Sequence, residues 1–296
     1  MSRSHTRAAS RLLLFAAGFL FSTGGAAIKA VTLAGWQVAC VRSAIAAVAL
    51  LALVPGARRG WSWRVWVAGL AYALTLLLFV LSNRLTTAAN AVFLQSAGPL
   101  YLLLIGPVLL KEPIRRGDVP LILALSLGMS LFFVGREAPL ATAPNPALGN
   151  ILAAASGLTW AFTVTGLRWL GRSGASHDGA LATVAAGNIL ACFVALPMAL
   201  PAPSIGARDV LVLVYLGVFQ VGLAYVCMSR AIRHVPAFEA STLLLVEPAL
   251  NPIWAWLVHG ERPGVLSLAG GAIILSSTLA SSWWHTRAER APSQAP

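Results

Sequence analysis

Ten long apolar runs, separated by short segments rich in turn-forming and charged residues, leave this chain few ways to fold. They lie near 12–33, 36–54, 64–82, 86–109, 118–134, 148–170, 179–200, 209–230, 237–258 and 265–284. Each is close to the roughly 20 residues an α-helix needs to cross a hydrocarbon core about 30 Å thick. Backbone polar groups in lipid must pair internally, so only helices and closed barrels span a bilayer. These runs are continuously apolar and lack the alternation a barrel strand requires, which excludes the barrel. Ten such helices occupy nearly all of the 296 residues. Only 10% of residues are charged, against about 25% in soluble domains. The expected fold class is therefore all-α, a polytopic protein whose first partner is the lipid bilayer.

A net charge of +12 would suggest nucleic acid in a soluble protein. Here its placement explains it, and no nucleic-acid partner is expected. With the N-terminus in the cytoplasm, fifteen of the 21 Lys and Arg residues fall at inner ends, among them Arg3, Arg7, Arg11, Arg58, Lys111, Arg168, Arg230 and Arg287. Five fall at outer ends (Lys29, Arg84, Arg136, Arg208, Arg262), and Arg42 sits within the second run. Cytoplasmic loops carry such an excess, so both termini are expected inside. Arg3 to Arg11 followed by the apolar run Leu12 to Phe21 imitates a signal peptide. A matching segment begins the second half, where it cannot be cleaved, so the first is expected to remain as a span. Cys40, Cys192 and Cys227, all within apolar runs, argue against a disulfide framework.

The chain repeats itself. Shifted by 149 residues, Arg84, Ala88, Ala91, Leu94, Pro99 and Glu112 fall on Arg233, Ala237, Ala240, Leu243, Pro248 and Glu261. Shifted by 139, Gly18 falls on Gly157 and Lys29 on Arg168. Residues 12–134 thus form a first five-helix repeat, 135–147 a turn-rich linker, and 148–284 a second repeat. Five is odd, so the second copy must lie inverted in the membrane. Inverted repeats suit alternating access, in which the two copies exchange conformations around a central site.

The Gly and Lys of the first helix, the Ala-rich fourth helix with Pro99 and Glu112, and the second copy from Ala237 to Glu247-Pro248 and Gly260-Glu261 together resemble the EamA domain. The resemblance covers about 10–284. It implies the drug/metabolite transporter superfamily, whose ten-helix members include exporters of amino acids and other metabolites. The sequence has no Asn-x-Ser/Thr acceptor, which fits a bacterial origin, and a bacterial cytoplasmic membrane is the expected location.

Candidate binding residues follow from polarity at depth. Pro99 cannot donate to the carbonyl of Gln95, nor Pro248 to that of Leu244. Each helix is expected to kink near the midplane, where a freed carbonyl is tolerated against protein or a water-filled cavity. Glu247 lies mid-helix, where an acid costs about 2.5–3.5 kcal/mol on insertion scales. Three roles suit it: binding an amine or cation, carrying a coupling proton, or serving as a protonated structural acid. Asn90, Gln95 and Gln220 offer neutral hydrogen bonds to a ligand or to neighbouring helices, and Asn90 corresponds to Glu239 in the second copy. Trp160, Tyr72 and Tyr225 are candidate aromatic walls. Lys29 and Arg42 are expected to snorkel to the outer face. Glu112 and Glu261 read as structural acids needing nearby cations, Arg115 or Arg116 for the first and Arg262 or another group for the second.

An intramembrane enzyme is the rival class. The chain has no His-Glu-x-x-His pair, no Gly-x-Ser-x-Gly elbow and no phosphate-cradling Gly loop, and no cofactor, metal or catalytic residue is expected. Ser176-His177-Asp178 are consecutive and cannot adopt triad geometry. A channel or structural membrane protein is a further alternative. A carrier of nucleotide sugars is disfavoured because no cation is expected at the midplane. A small-molecule substrate remains the expected partner, with an amino acid or related metabolite leading. Oligomeric state is not legible in the sequence.

Overall fold

The computed structural model describes residues 3–109, 111, 113–134, 138–172, 177–201, 205–231 and 234–290. Glu112, Arg136, Ser176 and Arg233 lie outside the described residues. Ten helices are long and apolar enough to cross a membrane: α1 Ala8–Ala30, α2 Gly35–Leu53, α3 Trp63–Leu85, α4 Ala88–Leu109, α5 Arg116–Val134, α6 Pro146–Gly171, α7 Gly179–Ala199, α8 Ala207–Ala231, α9 Glu239–His259 and α10 Val265–Trp284. Each overlaps the span expected at its place, and no strand occurs among the described residues. The molecule is an integral membrane protein. Its even number of spans puts both ends of the described chain at one end of the bundle, here the termini end.

Four helices are interrupted. The α1 span divides into Arg3–Ser22 and Gly24–Ala30. Helix α4 divides at Ala97 into Ala88–Ser96 and Gly98–Leu109. Helix α9 divides at Leu245, between Ala237–Leu244 and Val246–His259. The α4 and α9 breaks fall two and three residues before Pro99 and Pro248, within the turn that each proline deprives of a hydrogen bond. Helix α8 instead widens into a π-helical stretch at Tyr215–Leu223, with no proline to announce it.

Glycines seat neighbouring helices on these breaks. A Cβ added at Gly157 of α6 would lie 3.1 Å from the carbonyl oxygens of Leu94 and Gln95. One added at Gly18 of α1 would lie 3.2 Å from that of Leu243. The loosened backbone of α4 and α9 is therefore covered by protein rather than lipid, as bilayer physics demands. Such close backbone approach is what small residues provide in membrane interiors.

The same packing pattern appears twice. Helix α3 packs on α6 and α7, and α8 packs on α1 and α2. Helix α6 packs on α4, and α1 on α9. Two further pairs, α2 with α7 and α5 with α10, join helices five apart in order. The α5–α10 contact is backbone-close: a Cβ at Gly270 would lie 2.6 Å from the Gly128 carbonyl oxygen. The main apolar cluster gathers Val38, Leu50, Tyr72, Val80, Leu181 and Leu216 between α2, α3, α7 and α8.

Candidate functional site

A cavity of about 240 Å³ lies within the bundle, lined by residues of α1, α2, α3, α4, α6, α8 and α9. Six of the seven expected binding residues meet there: Glu247, Gln95, Trp160, Tyr72, Gln220 and Tyr225. Its volume falls just below the roughly 300–1,000 Å³ of drug-sized ligand sites, which suits a small metabolite.

Local structure places each side chain. Glu247 is the second residue of the second piece of α9, just past the break, and lines the cavity. Among the described residues it has no hydrogen bond or ion pair of its own; the two ion pairs there are Arg11–Glu239 and Lys29–Glu261. Gln95 lies one residue before the last of the first piece of α4. Gln220 projects from the π-helical stretch of α8 against Gly24, whose added Cβ would meet the carboxamide nitrogen at 2.7 Å. The Gln220 carboxamide oxygen is buried without a hydrogen-bond partner. Tyr72 lies over Gly187 of α7, where an added Cβ would fall 2.4 Å from the ring. The rings of Tyr72 and Tyr225 meet edge to face with centroids 5.5 Å apart, and Phe21 meets Tyr225 at 5.1 Å. Trp160 lies beside Gly98 at the α4 break.

Asn90 is the exception and corrects the expectation that it lines the site. It is fully buried, and its amide nitrogen lies 3.2 Å from both Thr86 Oγ1 and Asn150 Oδ1. Asn150 in turn donates to the Phe132 carbonyl at 2.9 Å and accepts from Thr86 Oγ1 at 2.8 Å. This network ties the end of α3 to α4, α5 and α6. Asn90→Ala should therefore lower the unfolding temperature in detergent, by a buried hydrogen-bond loss of about 1–3 kcal/mol, and leave substrate selectivity as in the wild type. A changed selectivity at wild-type stability would contradict this placement.

Two cations also differ from expectation. Lys29 does not snorkel. Its side chain and that of Glu261 are each 2% exposed, with Nζ and Oε1 2.8 Å apart. Lys29 also donates to the carbonyls of Thr86 and Thr142, and Glu261 Oε2 accepts the Ala88 backbone N–H at 2.9 Å. The cation Glu261 needs is thus Lys29, not Arg262. Arg42 does not snorkel either. It is 1% exposed and lines the cavity. Reach explains this: Arg42 lies seven residues inside α2, about 10 Å along the helix, too deep for its side chain to regain the surface. A cation does reach the interior, which removes the sequence-based objection to ligands carrying negative charge.

Among the described residues no cluster of His, Cys, Asp and Glu could hold a metal ion. Residues 147–283 match the model of the EamA-like transporter family. The second half of this chain is thus similar to that family. It contributes Glu247, Gln220, Tyr225 and Trp160 to the cavity. The chain is 35% identical over 72 residues to an "Uncharacterized transporter" of Clostridium kluyveri, a stretch that is 24% of this chain and 23% of that one. It is 41% identical over 61 residues to the "Uncharacterized transporter YdfC" of Bacillus subtilis, 21% of this chain and 20% of that one. The matched stretches thus span under a quarter of these curated relatives. A solved crystal structure covers 96% of this chain and 99% of its own, with a TM-score of 0.61 at 20% identity. That likeness shows a shared fold and nothing beyond it.

Proposed function

We propose that this protein is a secondary transporter that moves a small metabolite, an amino acid or a close relative of one, out of the cell across a bacterial cytoplasmic membrane. Residues 12–134 and 148–284 act as two inverted repeats joined by the linker 135–147. The recurrence of helix pairings five apart supports that reading, and the threefold excess of Lys and Arg at one set of ends supports cytoplasmic termini. Exchange of conformations between the repeats would open the cavity to each side in turn.

The observation that carries the proposal is Glu247, an acid without a partner in a cavity lined by both sets of five helices. An acid inside the membrane is costly and marks a substrate or proton pathway. A coupling proton on Glu247 is part of the proposal, and export as the direction follows the family resemblance. The chain's relatives are named transporters, and no catalytic constellation competes for the cavity.

Purified protein in liposomes preloaded with one unlabelled amino acid at a time should accumulate the same labelled amino acid transiently, with rates that saturate. Such counterflow needs a carrier. Linear, non-saturating flux without overshoot would identify a channel and sink the proposal.

A further inference from the structure

We infer that Arg42 is the carboxylate-binding residue of the cavity, so that the ligand is a zwitterion held between Arg42 of α2 and Glu247 of α9. This rests on the transport reading and assigns a substrate class to the same site.

Among the described residues, Arg42 is the largest side chain that is almost wholly buried. A buried guanidinium is normally matched by a carboxylate, because burying an unmatched charge costs several kcal/mol. Arg42 has no such match among the described residues: neither ion pair includes it, its Nε has no hydrogen-bond partner, and it lies over no aromatic ring. Among the described residues its charge interacts with the phenols of Tyr72 and Tyr225. The same two phenols interact with Glu247. Arg42, Tyr72, Tyr225 and Glu247 line one cavity, and the cation and the acid do not pair with one another.

The depths fit this arrangement. Arg42 lies about 10 Å along α2 from the end opposite the termini, and Glu247, twelve residues before His259, about 18 Å along α9 from the same end. The offset is one that two side chains and a ligand between them can span. A simple amine would satisfy Glu247 and leave Arg42 unmatched; a simple acid would do the reverse. A zwitterion satisfies both and brings no net charge into the membrane. The planar guanidinium is suited to a carboxylate, which it can engage through two parallel hydrogen bonds. Gln220 lines the same cavity and adds a neutral polar group beside the two charges.

The test starts from the amino acid that gives counterflow. For phenylalanine, the matched probes are 2-phenylethylamine, which lacks the carboxylate, and 3-phenylpropionate, which lacks the amine. As competitors of wild-type counterflow, each should be at least tenfold weaker than phenylalanine, the loss expected for one charge-assisted hydrogen bond. In Arg42→Gln, phenylalanine should weaken to the level of the amine, while the amine keeps or improves its wild-type potency. Equal competition by amine and amino acid in the wild type would overturn the assignment, and so would an Arg42→Gln protein that still prefers the amino acid tenfold. The wild-type comparison decides the matter if the variant does not fold. Counterflow of the amine with no recognition of any amino acid overturns the Arg42 assignment and leaves transport standing. Absence of carried flux for every probe overturns both.

Discussion

Lys29→Met is expected to destabilise the protein by about 3–5 kcal/mol, the usual cost of removing one partner from a buried ion pair. The substitution keeps the length and apolar stem of the side chain and strands the Glu261 carboxylate, whose side chain is 2% exposed. Glu261 Oε1 has no hydrogen-bond donor to replace the ammonium, while Oε2 remains committed to Ala88 N–H. Two carbonyls, those of Thr86 and Thr142, also lose their donor. Glu261→Gln should cost less, because the carboxamide oxygen can still accept from Ala88. The double variant Lys29→Met with Glu261→Gln should recover much of the loss, since removing both charges also removes the desolvation penalty. Thermal unfolding in detergent reads all three. Single and double variants that lose stability additively would mean that the charges act independently. The pair also has a mechanical role. It joins α1, the start of α4 and the corner between α9 and α10, so it closes the bundle at the end opposite the termini.

The ten helices can be read from the sequence, and this pair cannot. Spans are legible because length and continuous apolarity are properties of a single segment. Pairing across the bundle is not. Lys29 and Glu261 are far apart in sequence, and each taken alone resembles an anchor at a helix end. Arg42 shows the same blindness: α2 is apolar on all sides, so no polar stripe tells which face looks inward. Helix geometry does separate two of the polar residues. Asn90 and Gln95 are five residues apart on α4, which at about 100° per residue separates them by roughly 140° around the axis. They cannot both face one cavity, and only Gln95 does. Prolines announced two of the breaks but not their position, since the turn that loosens precedes the ring. The π-helical stretch that presents Gln220 had no sequence marker at all. Six of the expected residues meet at one cavity for a simple reason: polar and aromatic residues at mid-membrane depth have few other places to go.

Glu247→Gln should abolish transport while leaving the protein as stable as the wild type, and this pairing of outcomes separates a functional acid from a structural one. Gln matches Glu in shape and can still donate and accept hydrogen bonds, but it can neither hold a negative charge nor release a proton. If Glu247 were a structural acid it would have partners to lose. It has none: no ion pair and no hydrogen bond holds it among the described residues. Removing its charge relieves the cost of an acid inside the membrane, so unfolding temperature should stay level or rise. The ligand's ammonium, by contrast, loses the one negative charge in the cavity's lining. Charge-assisted hydrogen bonds contribute about 1.5–3 kcal/mol, so affinity should fall at least tenfold from this term alone. A coupling role adds a second loss, because a carboxamide cannot exchange the proton that a pH gradient supplies. Flux driven by an imposed pH gradient should then fall to the level of protein-free liposomes at every pH tested. Wild-type rates in Glu247→Gln across that pH range would remove Glu247 from both binding and coupling, and would leave the cavity to Arg42 and its aromatic walls.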